Sequence, residues 1–133
     1  MRNNPILKTK PPPSLAYIRQ LEKEWRIAIP DELIGFFMQS NGGAPEFNTY
    51  ISQDGERCVL HEFLAIGSRA QEGSFENVMK DLVLELGMIP RHLIPFAINE
   101  GGDFYCMSVK KKSRGQIYFF GNDSYDDLSR AIQ

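Results

Sequence analysis

Cys58 and His61 are the two residues whose types and spacing come closest to a catalytic unit, a thiol nucleophile three positions from an imidazole base. They stand in an alternating run over residues 57–66, and an odd separation on a strand sends two side chains to opposite faces. The pair therefore does not read as a working nucleophile and base. Glu100 and Asp103 flank Gly101-Gly102 as a possible carboxylate pair, but turn chemistry and edge charge account for both. His92, after Pro90 and Arg91, reads as a loop residue. With two cysteines (Cys58 and Cys106), two histidines and no Cys-x-x-Cys pair, the soft ligands are too few and too scattered for zinc. Gly-x-Ser-x-Gly, His-Glu-x-x-His and a Walker lysine loop are absent, and Gly101-Gly102-Asp103 opens a strand, not a helix. The expectation is a chain that is not an enzyme, with no cofactor or metal and with reduced, mostly buried thiols.

The elements that would position any site are organised around residues 93–120. Three apolar runs rich in β-branched and aromatic residues, separated by Gly101-Gly102 and by a basic turn at 110–115, predict a three-stranded meander. In the first run Ile94, Phe96 and Ile98 would share one face, opposite Pro95, Ala97 and Asn99. In the second, Tyr105, Met107 and Val109 alternate with Phe104, Cys106 and Ser108; in the third, Ile117 and Phe119 oppose Tyr118 and Phe120.

Ahead of the meander, Pro11, Pro12 and Pro13 impose an extended approach, and residues 1–13 are expected to be a flexible segment. Ser14 caps a helix with Leu15, Ile18, Leu21 and Trp25 on one stripe; Trp25 could anchor an interface, but its place on the stripe favours packing. A second helix opens at Pro30-Asp31-Glu32, where the dipole favours carboxylates, and closes on Asn41-Gly42-Gly43 in a left-handed conformation. Residues 47–51 and 57–66 read as strands around Asp54-Gly55, the second of them able to break in two. Ser74 caps a third helix whose Val78, Met79, Leu82, Val83 and Leu86 face the core before Gly87. Beyond Phe120, Asp123 or Ser124 would cap a short closing helix carrying Leu128 and Ile132. Helices on one side of hairpin-linked strands predict an α+β domain at 14–133, with a mainly antiparallel sheet of five to six strands and helices packed largely on one face.

At 133 residues, with 42% hydrophobic and 24% charged residues, the chain fits one core. No apolar run approaches a membrane span or a signal peptide, so the expected location is the cytoplasm. The net charge of −2 conceals an asymmetry, because residues 31–103 hold twelve acidic side chains against four Lys or Arg. An acidic middle repels nucleic acid and would suit a basic partner.

Two blocks together resemble a known family. Ile29-Pro30-Asp31-Glu32-Leu33, running through Phe37 to Asn41-Gly42-Gly43 and Pro45, is similar to the signature of the SUKH superfamily. Leu93-Ile94-Pro95-Phe96-Ala97, Gly101-Gly102-Asp103, Tyr105-Cys106 and Gly115-Gln116-Ile117-Tyr118-Phe119 resemble its sheet motif in the same order. The likeness runs from about Leu15 to Asp127 and departs at the end, where the chain stops at Gln133 and leaves room only for a short final helix. The resemblance implies a protein-binding module: bacterial members look like immunity proteins that neutralise toxins, often nucleases, and eukaryotic members serve as regulators of cell-wall assembly. A small-ligand or peptide-binding module that uses an open sheet face with Tyr105, Tyr118 and Phe120 is the alternative.

The partner surface expected from these readings joins Glu100, Asp103 and Asp123 around the turns to Tyr105 and Tyr118 on the sheet, facing a basic toxin domain. The protein itself would be a monomer or weak dimer. If that patch is not used, Asp31, Glu32, Glu76 and Asp81 on the helices are the next acidic groups.

Overall fold

Ser14 starts the first helix as its type predicts: its Oγ accepts the Tyr17 N–H at 3.1 Å, and α1 runs over Leu15–Trp25. In this computed structural model, residues 6–7, 9–45, 49–51, 55, 57–67, 74–99, 101–121 and 125–127 are described. Ile18, Leu21 and Trp25 are buried on the stripe expected of them, while Leu15 stays exposed. The helix ends at Arg26 in the left-handed region, whose N–H donates to the Glu22 carbonyl. The Glu22 side chain in turn accepts the Ile29 N–H at 2.7 Å and so fixes the chain's path into α2, Asp31–Gln39.

That second helix carries Asp31 and Glu32 in its first turn but does not end as the sequence suggests. Its last residue is followed by Ser40 in an extended conformation, and the positive-φ residues Gly42 and Gly43 come later. Gly42 is needed for a close approach to Ala65 beyond the helix and not for its cap. Asn41 forms an antiparallel bridge with Lys10, and Ile6–Leu7 (β1) pairs with Ala44–Pro45 (β2). Part of the segment expected to be flexible is therefore strand, ordered by partners more than thirty residues away that no local pattern reveals.

Thr49–Ile51 (β3) and Arg57–Val59 (β4) form the expected hairpin, with Gly55 at positive φ between them. The run after it does break in two, since Glu62–Phe63 (β5) leaves β4 and joins the main sheet. That sheet is antiparallel throughout, in the order β5, Leu93–Ile98 (β6), Phe104–Ser108 (β7), Ile117–Phe120 (β8) and Tyr125–Asp127 (β9). Among the described residues, this five-stranded main sheet with three helices gives the expected α+β domain.

Two expectations fail within it. In β6, Pro95 pairs with Cys106 and Ala97 with Tyr105, so Phe96 is an extra residue at a β-bulge. The bulge resets the alternation, puts Ala97 on the face of Ile94 and leaves residues 93–97 all buried. At the end of the chain, residues 125–127 are a strand and not the start of a closing helix, because pairing Phe120 with Tyr125 and Tyr118 with Asp127 covers the open edge of β8. Leu128, Ile132 and the proposed cap at Asp123 or Ser124 lie outside the described residues.

The third helix begins as α3, Phe75–Val78, with Ser74 Oγ accepting the Asn77 N–H at 3.3 Å, and then widens into a π-helix over Met79–Glu85. The Leu86 N–H donates to the Asp81 carbonyl five residues back. Wider turns shift the 3.6-residue stripe, so Val78, Met79 and Val83 stay buried while Leu86 turns out to solvent. The helices meet the sheet through a chain of rings: Trp25 lies 5.9 Å from Phe75, Phe75 5.0 Å from Phe37, Phe36 4.6 Å from Phe63, and Phe63 6.5 Å from Phe96. Rings at these separations are in attractive contact, so burial and geometry act together in the core. Among the described residues, no helix is long and apolar enough to cross a membrane.

Candidate binding surface

Of the residues expected to form a partner surface, Asp103, Tyr105 and Tyr118 are described. Glu100 and Asp123 lie outside the described residues. Asp103 closes the β6–β7 turn: its N–H donates to Asn99 Oδ1 at 2.9 Å, and its carbonyl accepts the Asn99 N–H at the same distance. Tyr105 is a core residue, only 2% exposed, whose hydroxyl donates to the Val59 carbonyl at 2.9 Å and whose ring lies 5.4 Å from Phe119. It holds the β3–β4 hairpin to the sheet.

Tyr118 is half-buried and pairs in register with Cys106, whereas Tyr105 pairs with Phe119. Residues directly opposite share a face and neighbours along a strand do not, so the two tyrosines point to opposite sides of the sheet. Phe120 pairs with Phe104 and joins Tyr118, while Tyr105 does not. A single face with Tyr105, Tyr118 and Phe120 is thus excluded by the register, leaving a half-buried aromatic row of Phe104, Tyr118 and Phe120.

Exposed charges of both signs occur along the chain, among them Arg57, Lys80 and Arg91 in its acidic middle. Asp31, Glu32, Glu62, Asp81 and Glu85 are exposed, all from the acidic middle of the chain. Lys110, Lys111, Lys112 and Arg114 project from the β7–β8 turn, which is braced by a 2.7 Å contact between the Ser108 and Ser113 hydroxyls. Next to this turn, partial burial and then the Lys110 ammonium hold the His92 imidazole below its ordinary value. Burial pushes the Cys106 thiol far above its ordinary value, which makes it a poor nucleophile. His61 is exposed, and the chain breaks strand between it and Cys58, whose side chain lies outside the described residues.

A second feature lies on the helical side. Glu24 and Trp25 at the end of α1, with Glu76, Asn77 and Lys80 from α3 and its π-helical continuation, line an open cleft of about 320 Å³. Glu76 is 2% exposed. Its Oε2 accepts the Tyr17 hydroxyl at 2.5 Å and the Gly67 N–H at 2.7 Å, tying α1, α3 and the chain after β5 together. Its Oε1 is buried and, among the described residues, has no hydrogen-bond donor. A buried acceptor left without a donor costs about 1–3 kcal/mol, so half of this carboxylate is held at a disadvantage to the fold. The sequence shows Glu76 only as an acidic residue in a first helical turn; its partner Tyr17 is 59 positions away, and no local signal marks it.

Asn41 is the other residue whose weight sequence reading misses. Buried to 2% exposure, its Nδ2 donates to the carbonyls of Pro11 and Ile66 and its Oδ1 accepts the Ile66 N–H, each at 2.8 Å. It joins three segments where a terminating asparagine was expected.

None of the curated proteins matches the chain. A crystal structure of a protein from Pseudomonas syringae pv. tomato is similar in fold, with a TM-score of 0.56 at 18% identity over 96% of this chain and 85% of that one. Residues 12–131 match the SMI1 / KNR4 family (SUKH-1), a span holding both sequence blocks, the three helices and the main sheet. The chain belongs to that family.

Proposed function

We propose that this chain is a non-catalytic protein-binding module, an immunity protein that neutralises a secreted or contact-delivered bacterial toxin with a basic active domain, a nuclease being the class that fits best. The observation that carries this reading is the exposed set Asp31, Glu32, Glu62, Asp81 and Glu85 on a SUKH-1 domain. A nuclease presents positive charge to its substrate, and an acidic inhibitor is drawn to that surface and competes for it. The protein would act in the cytoplasm as a monomer or weak dimer and would not bind nucleic acid. A peptide-binding regulatory role is the second reading, and the α1–α3 cleft favours it because it is large enough for a side chain.

The test is to co-express the chain with candidate bacterial nuclease toxin domains, those encoded near its gene first, and to count survivors. Protection, together with a complex whose association slows about tenfold in an Asp31→Lys/Glu32→Lys variant and loses salt dependence, is the expected result. Absence of both protection and complex, with the chain folded and abundant, would overturn it.

A further inference from the structure

We propose that the α1–α3 cleft is a receptor for a guanidinium group, an arginine side chain presented by a partner protein, with Glu76 as its acceptor and Trp25 as its wall. This deepens the protein-binding reading and rests on it for the source of the arginine, though not for the chemistry.

Three observations converge on the cleft. First, it is lined by two carboxylates, Glu24 and Glu76, against one ammonium, Lys80, whose nitrogen also lies 4.0 Å from a Glu85 oxygen. Carboxylates outnumber ammonium groups in the lining. Second, Glu76 is buried and fixed by Tyr17 and Gly67 through Oε2 alone, which leaves Oε1 as an acceptor that needs a donor. Because Oε1 is shut off from solvent, bulk water does not supply that donor; a group entering the cleft does so only when the side chains that line it rearrange. Third, Trp25, 8% exposed, is also among the residues lining the cleft, and a planar guanidinium both donates to carboxylate oxygens and stacks on aromatic faces. An ammonium matches the charge but offers no plane to stack. The π-helical turns that carry Lys80 add to this picture, since such departures from α-helix recur at functional sites.

Trp25 is the one tryptophan of the chain, so its fluorescence reports directly on the cleft. Methylguanidinium chloride should produce a saturable change in emission that sodium chloride at equal ionic strength does not. Glu76→Gln, checked for folding by circular dichroism, should weaken that binding at least about tenfold, because a neutral amide replaces the charged acceptor. An acetylated, amidated Gly-Arg-Gly peptide should bind more tightly than methylguanidinium if the source is a protein; equal or weaker binding would assign the site to a free small guanidine and overturn the partner-protein assignment. If Glu76→Gln does not fold, the carboxyl carbon resonance of Glu76 in the wild-type protein should move along the same saturation curve. A saturable response retained in folded Glu76→Gln, a response that only follows ionic strength, or a Glu76 resonance that stays still would overturn the proposal. Toxin protection is read separately in cells, so either idea can fail while the other stands.

Discussion

Asn41 and Gly42 lie buried at the exit of α2, where Asn41 bridges Lys10 and bonds to the chain after β5, whereas Gly101-Gly102 turns in solvent between β6 and β7. Gly42-Gly43 and Gly101-Gly102 both read in the sequence as glycine pairs that end one element before the next. Gly42 and Gly102 both hold positive φ, at 74° and 84°. Their surroundings differ. A Cβ on Gly42 would sit 2.9 Å from Ala65 Cβ and 3.3 Å from Ala65 Cα, while a Cβ on Gly102 would meet nothing within 4 Å. The first glycine is required by conformation and by space, the second by conformation alone. One turn is a junction that gathers distant segments; the other closes a local hairpin.

Substitutions can separate these roles. The largest effect is expected at Asn41, because Asn41→Ala leaves both backbone groups of Ile66 without partners in a buried setting and also removes the part-buried bond to the Pro11 carbonyl. A loss of about 3 kcal/mol, measured by urea unfolding, follows from roughly 1 kcal/mol for each group. A loss below that of an ordinary surface substitution would mean that the junction is not held by this side chain.

Gly42→Ala comes next, at about 2 kcal/mol, combining left-handed strain with a contact too short to keep unless Ala65 moves. Pairing it with Ala65→Gly sharpens the point: the double variant should recover the steric part and retain the strain. Gly102→Ala should cost least, about 1 kcal/mol from φ alone. Equal losses at the two glycines would erase the distinction between junction and turn.

The same contrast explains how far the sequence could be read. Ser14 and Ser74 cap helices as their types predict, Ile18, Leu21 and Trp25 are buried at the spacing that announces them, and the meander at 93–120 forms in the expected order. These depend on neighbours within a few positions. The bulge at Phe96, the π-helix that exposes Leu86 and the strand at 125–127 in place of a helix depend on partners elsewhere. The candidate site divides likewise. Acidic character was legible from composition, but the opposed faces of Tyr105 and Tyr118 required the β7–β8 register, and the cleft at Glu76 required α1 beside α3.

By itself, then, the sequence determined the starts of the three helices, the order of strands in the 93–120 meander, the acidic character of the middle and the resemblance to the family, because caps, alternation, charge and motif spacing are local or additive properties. Tertiary structure alone decided that Asn41 binds Pro11 and Ile66, that Tyr105 is sealed beneath Val59 and that one oxygen of Glu76 is left without a donor. Each of those outcomes turns on whether two groups distant along the chain come within hydrogen-bonding range, and only the packing of helices on the sheet sets that distance.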